Sequence, residues 1–258
     1  MDDYLVEVGE AGKKGLLLVK GIPAVYVSHA NAFILADLHL GFEEVMADTG
    51  VFLPRIQLKT ILKTVRELSM IKPSSKIVIA GDVKHCFQKL RRQERIELAK
   101  LVRELQRLNF KEIMIIRGNH DNYAKTVLSP LGIELIENYL DLGKGIVVAH
   151  GHKNIEEDYE YLIMGHEHPA LKISVGGGRA KFPVFLIMPL ENGSYALILP
   201  PAGPYQVGNI ISTERRDYLS PIIQEMGIPE EALPIVLDED TGLMPLVRLS
   251  LLEEILAL

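Results

Sequence analysis

A chain of 258 residues, 48% of them hydrophobic, is long enough for one large α/β domain, or a domain with an appendage, around a sizeable core. Its formal net charge of -6 argues against a protein that coats nucleic acid, although a local basic surface can coexist with an acidic total. The single cysteine, Cys86, excludes a disulfide framework and every multi-cysteine zinc motif, which fits a reducing compartment and makes the cytoplasm the expected address.

The chain opens on MDDYLVEVGE, acidic where a secretory signal would be basic, and no apolar run is long enough to span a bilayer. Short β-branched runs then alternate with stretches of helical period, the pattern of a layered α/β fold. Strands are expected at 16–20, 24–28 and 32–36. The spacing of Ile61, Leu62, Val65 and Leu68 predicts a packing helix over 55–69. After a strand at 76–80, a longer helical pattern over 88–110 places Ile96, Leu98, Leu101, Val102, Leu105 and Leu108 on one side. The other side is rich in Arg and Lys and reads as a solvated face, with a phosphate-facing role as the alternative. Further strands are expected at 112–116, 133–136, 146–149, 161–164, 184–187 and 195–199. Gly176-Gly-Gly178, followed by Arg179 and Lys181, reads as a hairpin turn, with a phosphate-cradling nest as the alternative. PPAGPYQVGN over 200–209 gathers Pro and Gly, which divides the chain into a core of residues 1–205 and an extension of residues 206–258. The extension carries too many apolar clusters to be disordered and is expected to pack on the core. No internal repeat, P-loop or G-x-S-x-G elbow is present in the sequence.

The residues that carry chemistry fall at the ends of these strands. They are Asp37 and His39 in LADLHLG, Asp82 and His85 in AGDVKHC, Asn119 and His120 in RGNHD, His150 and His152 in VVAHGHK, and His166 and His168 in IMGHEHP. Of the 8 histidines, His29 alone lies outside this set. Open α/β sheets bind ligands beyond the carboxyl ends of their strands, so clusters distant in sequence can converge on one crevice. Imidazole, carboxylate and amide oxygen together suit first-row divalent ions, and a carboxylate can bridge two of them. Asp37-x-His39 and His166-x-His168, spaced i, i+2 at strand ends, send both side chains toward one face. Any one of these residues alone reads as a hydrogen-bonded structural group; all five clusters together read as a metal site.

Asp-x-His, Gly-Asp, Gly-Asn-His-Asp, His-Gly-His and Gly-His-x-His, in this order over residues 30 to 200, resemble the calcineurin-like metallophosphoesterases. The resemblance implies a four-layer α/β fold, a sandwich of two mixed β-sheets flanked by helices, with the site at one edge. It implies that Asp37, His39 and His168 hold one divalent ion, that Asn119, His150 and His166 hold a second, and that Asp82 bridges them. The expected ions are manganese, with Fe, Zn, Co or Ni accepted by the same donors. The implied reaction is hydrolysis of a phosphate ester by a metal-bridging hydroxide, with His120 as general acid at the leaving oxygen.

Gly81-Asp82-Val83-Lys84-His85 resembles the block found in SbcD-related nucleases and their small archaeal and DNA-ligase-associated phosphoesterase relatives. His85 as a second imidazole near the phosphate suits a diester, which retains a negative charge; the alternative is a cap on the following helix. A phosphodiester in DNA, RNA or a nucleotide is the expected substrate. A small-molecule phosphomonoesterase and a non-catalytic protein-binding scaffold are the alternatives. His152 and Lys84 are either substrate-phosphate contacts or exposed loop residues. Asp121 is expected to open the next helical turn, and Cys86 to be a small buried residue.

Overall fold

The computed structural model describes residues 4–73, 75–175, 178–206 and 208–256. Its first half runs β1 (Leu5–Glu7), α1 (Gly9–Lys13), β2 (Leu16–Val19), β3 (Val25–Val27), β4 (Ala32–Leu35), α2 (Phe42–Asp48), α3 (Gln57–Ile71), β5 (Lys76–Ala80), α4 (Arg92–Arg107), β6 (Ile113–Ile116), α5 (Lys125–Leu128) and β7 (Leu135–Ile136). Then follow β8 (Tyr139–Asp141), β9 (Ile146–Ala149), β10 (Tyr161–Met164), β11 (Pro169–Val175), β12 (Gly178–Pro189), β13 (Tyr195–Ile198), β14 (Asn209–Ile210), α6 (Pro221–Met226), β15 (Leu233–Asp238), β16 (Gly242–Pro245) and α7 (Leu249–Leu256).

Strands β1 to β7 form a seven-stranded sheet in chain order, antiparallel from β1 to β4 and parallel from β4 to β7. The second sheet runs β14-β11-β12-β13-β10-β9-β8, with β15 on β12 and β16 on β15. Its β9, β10 and β13 are parallel, while β8–β9, β11–β12 and β12–β13 are antiparallel.

Side chains that alternate along each strand explain why the sheets stack. On β5, Val78 and Ala80 join the cluster between the sheets, with Ile34, Ile116, Val148, Ile163, Phe185 and Leu197. Ile77 and Ile79 point the other way, against Ile61, Val65 and Leu68 of α3 and Leu98, Leu101 and Leu105 of α4. On β10, Tyr161 and Ile163 face the inner cluster, while Leu162 and Met164 face Ile222 and Ile223 of α6 and Leu249 and Leu252 of α7. Two sheets apolar on both faces need helices outside them, so the molecule is a four-layer α/β sandwich.

Residues after 205 supply β15, which pairs with the edge of β12 from Val184↔Val236 to Ile187↔Leu233, as well as the outer helices α6 and α7. Strands β1, β8, β11, β14, β15 and β16 and helices α1, α2, α6 and α7 have no counterpart among the expected elements. Ile96 is 43% exposed and stands off the apolar face assigned to it. The first two turns of α4 instead bury Gln93, Glu94 and Glu97. Further along the helix the basic side is partly self-neutralised, since Arg66 and Arg107 both bond Glu104. Residues 176 and 177 of the glycine run lie outside the described residues; β11 and β12 on either side pair antiparallel. Among the described residues, no helix is long and apolar enough to cross a membrane.

Candidate metal centre

Five strands deliver the polar clusters to one place. Parallel neighbours β4, β5 and β6 end just before Asp37, Asp82 and Asn119, and parallel neighbours β9 and β10 end just before His150 and His166. Past the strand ends the chain stays paired: the N–H groups of Asp37, His39 and Leu40 donate to the carbonyls of Gly81 (3.1 Å), Asp82 (2.9 Å) and Val83 (3.0 Å). The turns are sharp. Asp37, His39, Asp82, His166 and His168 all adopt left-handed backbone, with φ of 58°, 45°, 48°, 69° and 46°. Each such residue costs on the order of 1 kcal/mol or more, a strain characteristic of functional sites. Gly118 makes room for the cluster, because a Cβ there would lie 2.1 Å from Asp82 Oδ1.

The ligand-type atoms form three overlapping groups, each spanning less than 4.8 Å: Asp37, His39 and His168; Asp37, Asp82 and His150; His39, His85 and His120. Asp37 Oδ1 lies 3.5 Å from His168 Nε2 and 3.7 Å from His150 Nδ1. Asp82 Oδ2 lies 3.4 Å from His150 Nε2 and 3.8 Å from His39 Nε2, between the two sides. Asn119 Oδ1 is 3.0 Å from His150 Nε2, and the His166 ring sits 4.9 Å from that of His150. His166 belongs to none of the three groups; its backbone N–H donates to Asp37 Oδ2 (3.0 Å). His152 stands at the margin, its ring 5.2 Å from His150 and 6.2 Å from His166.

Asp37 Oδ1 is buried and has no hydrogen-bond partner. An unpaired carboxylate oxygen is costly away from water, and imidazoles facing it at 3.5 Å and 3.7 Å make a donor set that fits a divalent cation.

Burial and charge oppose each other here. Burial pushes Asp37 up, but His168 and His150 pull it below the usual carboxylate range, and His150 and His39 do the same for Asp82. Burial lowers His39 to about 3, and burial aided by the neighbouring imidazole lowers His85 and His166 to about 4. In His150 the Asp82 carboxylate outweighs burial and raises the ring to about 9. The unfolded chain takes up protons on His39, His85 and His166 near 6.5, whereas the folded cation-free protein refuses them until about 3 to 4. The unfolded state therefore binds more protons across this window, and stability rises with pH through it. His150, raised, contributes stability that is fully present below 6.5 and lost toward 9. The chelator-treated protein is expected to lose melting temperature steadily as the pH falls from 6.5 to 4. A flat profile across that range would contradict these environments.

Lys84, Asp121, Cys86 and His85 each depart in part from a place the sequence gives them. Lys84 is neither exposed nor aimed at the centre: it is fully buried, and its Nζ donates to the His120 carbonyl (2.6 Å) and to that of Cys86. Asp121 opens the next turn through its carbonyl, which accepts from the Ala124 N–H (3.1 Å), while its carboxylate accepts from the N–H groups of Gly118 (2.8 Å) and Lys84 (3.3 Å). Burial first, then Asp82, raises it to about 6. Cys86 is half-buried, its thiol hydrogen-bonded with Arg91. His85 is no helix cap, since α4 starts only at Arg92; its Nδ1 lies 3.2 Å from His39 Nδ1.

Sequence reasoning passed over Glu167, between His166 and His168. Its buried carboxylate accepts from the N–H groups of Leu219 (2.9 Å) and Ser220 (2.6 Å), and Ser220 Oγ donates to the Gly151 carbonyl (2.6 Å). Residues after 205 thus tie the His150 loop to the His166–His168 loop. A carboxylate held between two apolar-flanked histidines was the one available signal.

A comparison with curated proteins finds no match. Among solved structures, the Pseudomonas putida nuclease MPE is 20% identical, with 94% of this chain and 98% of that chain covered at a TM-score of 0.62, and shares the fold. A single mutant of Vps29 from Entamoeba histolytica is 16% identical, covering 83% of this chain and 97% of that chain at a TM-score of 0.34. A conserved uncharacterized protein from Streptococcus pneumoniae TIGR4, described as a predicted phosphoesterase, is 17% identical over 80% of this chain and 82% of that chain, with a TM-score of 0.30. The family model for calcineurin-like phosphoesterases matches residues 31–174, the span that carries the five clusters, and the chain belongs to that family.

Proposed function

We propose that this protein hydrolyses a phosphodiester of a nucleic acid or nucleotide at a two-cation centre. The observation that carries the reading is the convergence of Asp82, His39, His150 and His168 around Asp37, whose buried Oδ1 has no partner, with Asn119 and His166 set against His150. Asp37, His39 and His168 would hold one ion, Asn119, His150 and His166 the other, with Asp82 shared; manganese is the expected metal. Bound ions supply charge neutralisation for the phosphoryl oxygens and a nucleophilic water at neutral pH.

The remaining work falls to the chain itself. Nδ1 of His120 is engaged by the His85 carbonyl, which leaves Nε2, 4.0 Å from Asp82 Oδ2, to hold the proton for the leaving oxygen. His39 with Nε2 committed to a cation keeps its proton on Nδ1, where it meets Nδ1 of His85 at 3.2 Å. The proton of His85 then sits on Nε2, making this ring a neutral donor for a phosphoryl oxygen, a role that suits a diester. The rings of His85 and His120 stack at 5.5 Å.

Aromatic side chains flank this pair and favour a substrate with bases. Phe42 meets His85 edge-on at 4.7 Å and stacks on Tyr205 at 5.6 Å, while Phe87, 53% exposed, meets His120 at 5.9 Å. The Pseudomonas putida protein of the same fold is a nuclease, which supports the same substrate class. The Gly81-Asp82-Val83-Lys84-His85 block supports kinship with the SbcD-related and DNA-ligase-associated phosphoesterases within the family. Residues 1–205 serve in this reading as the catalytic core and 206–258 as an extension that braces it. A reducing, cytoplasmic setting suits the single cysteine.

The test is a hydrolysis panel with manganese: a generic monoester, a generic diester, cyclic nucleotides, and single-stranded and duplex DNA. Faster turnover of the monoester would overturn the diester reading. Phe87→Ala is expected to raise KM for an oligonucleotide on the order of tenfold while leaving a methyl nitrophenyl diester nearly unaffected. An equal effect on both substrates would remove the aromatic rings from the account of substrate binding.

A further inference from the structure

Lys84 is the charged member of the AGDVKHC block to which the mechanism gives no task. It is 0% exposed, with Nζ bonded to the carbonyl of His120 at 2.6 Å, to that of Cys86, and to that of Lys89 at 3.5 Å. A lysine head carries three N–H donors and no acceptor, so these three carbonyls meet its whole capacity. Such a head is expensive to bury and persists only where its donors are satisfied. Two of the carbonyls belong to the segment after β5 and one to the segment after β6, so the side chain works as a cross-tie between loops.

The same two loops are joined three more times. The Lys84 N–H donates to Asp121 Oδ1 (3.3 Å), whose other oxygen takes the Gly118 N–H (2.8 Å). The His120 N–H donates to Asp82 Oδ1 (2.9 Å), and Nδ1 of its ring bonds the His85 carbonyl. His120 is consequently held by its amide, its carbonyl and one ring nitrogen, all by residues 82 to 85. Nε2 is its one polar atom outside these bonds, and it borders the centre.

We propose that Lys84 is a positioning residue that fixes the backbone of His120, and with it the aim of Nε2 at the leaving oxygen. The proposal rests on the reading of His120 as proton donor. Lys84 touches neither substrate nor cation. Its four-carbon stem gives the reach that a cross-loop bond to the His120 carbonyl requires, and its donors give the hold; methionine matches the first without the second.

The experiment compares two nucleotide esters, one with a nitrophenyl and one with a phenyl leaving group, hydrolysed by the full chain loaded with manganese. Nitrophenolate leaves with little help from a proton, whereas phenolate needs one. Lys84→Met is expected to lower kcat on the order of a hundredfold for the phenyl ester and only a few-fold for the nitrophenyl ester, with KM and manganese content unchanged. In the Lys84→Met/His120→Ala double variant, the phenyl-ester loss should be no larger than in His120→Ala alone, because both substitutions disable one device. Lys84→Gln, with two donors on a shorter arm, should fall between Lys84→Met and the native protein, and it carries the same test if Lys84→Met does not fold by thermal melt. Losses that are additive in the double variant, equal on both esters, or accompanied by loss of manganese overturn the positioning role alone. No leaving-group dependence in His120→Ala overturns the reading of His120, and the proposal with it.

Discussion

Asp82→Ala is expected to lower hydrolysis on the order of a thousandfold, about 4 kcal/mol of barrier, and to reduce the manganese retained after dialysis from two equivalents to one or fewer. The magnitude follows from where this carboxylate stands. Oδ2 lies between His150 Nε2 at 3.4 Å and His39 Nε2 at 3.8 Å, one from each proposed ligand set, and it also lies 4.0 Å from Nε2 of His120. Asp37 cannot substitute, since its Oδ2 accepts the His166 N–H and its Oδ1 faces His168 and His150. Asp82→Asn separates charge from shape: the amide oxygen can still accept the His120 N–H, now at 2.9 Å from Asp82 Oδ1, so the loops keep their tie. Its activity should nevertheless fall nearly as far, because a side chain shared by two cations would need the negative charge. A dialysed wild-type protein with less than one equivalent of metal would sink the two-cation reading, and an Asp82→Ala variant with native turnover would remove Asp82 from the centre.

The strands that position the site were legible because they are buried on both faces. IVIA of β5 and YLIM of β10 read as unbroken apolar runs, and the abrupt change to Gly-Asp or Gly-His marks where each strand leaves the core. The strands that were not expected sit mainly at sheet edges or in the extension. LPIVLD of β15 contains a proline and acquires its structure from β12, whose edge it covers, and NI of β14 is two residues on the margin of β11. Such segments owe their conformation to a partner distant in sequence, which periodicity does not register. Helix α2 was missed for a related reason: FEEVMAD is only 7 residues long, too short for a helical period to register, and its Glu43 is buried through bonds to Gln57 and Gln93 on other helices.

Within the site, the side chains that face inward from strand ends were readable as donors, whereas those that hold the loops were not. Lys84 and Asp121 are charged residues in polar stretches, where composition favours exposure. Their burial depends on the meeting of the loops after β5 and β6, whose spacing is set by the β5–β6 pairing at Ala80↔Ile116. The same holds for Glu167, whose partners at 219 and 220 come from the extension. Residue type announces a ligand; only the fold announces what braces it.

His120→Ala is expected to lower kcat by 10² to 10⁴ on substrates with alkoxide leaving groups, about 3 to 5 kcal/mol, while leaving metal content untouched. The two effects separate because His120 differs from its neighbours in how it is held. Its ring is fixed through Nδ1 to a main-chain carbonyl, not to a cluster of carboxylates, and its side chain keeps 27% of its exposure. It therefore has one anchored nitrogen and one that opens on the space beside Asp82, the arrangement of a proton donor and not of a buried ligand. A sugar hydroxyl is a poor leaving group and gains most from that proton, so DNA should suffer the full loss and a nitrophenyl diester a small part of it. His85→Ala offers the contrast, because a neutral donor to a phosphoryl oxygen acts whatever the leaving group. Its loss should be similar on both substrates and smaller than that of His120→Ala on DNA. Leaving-group dependence that followed His85 instead of His120 would exchange the two assignments.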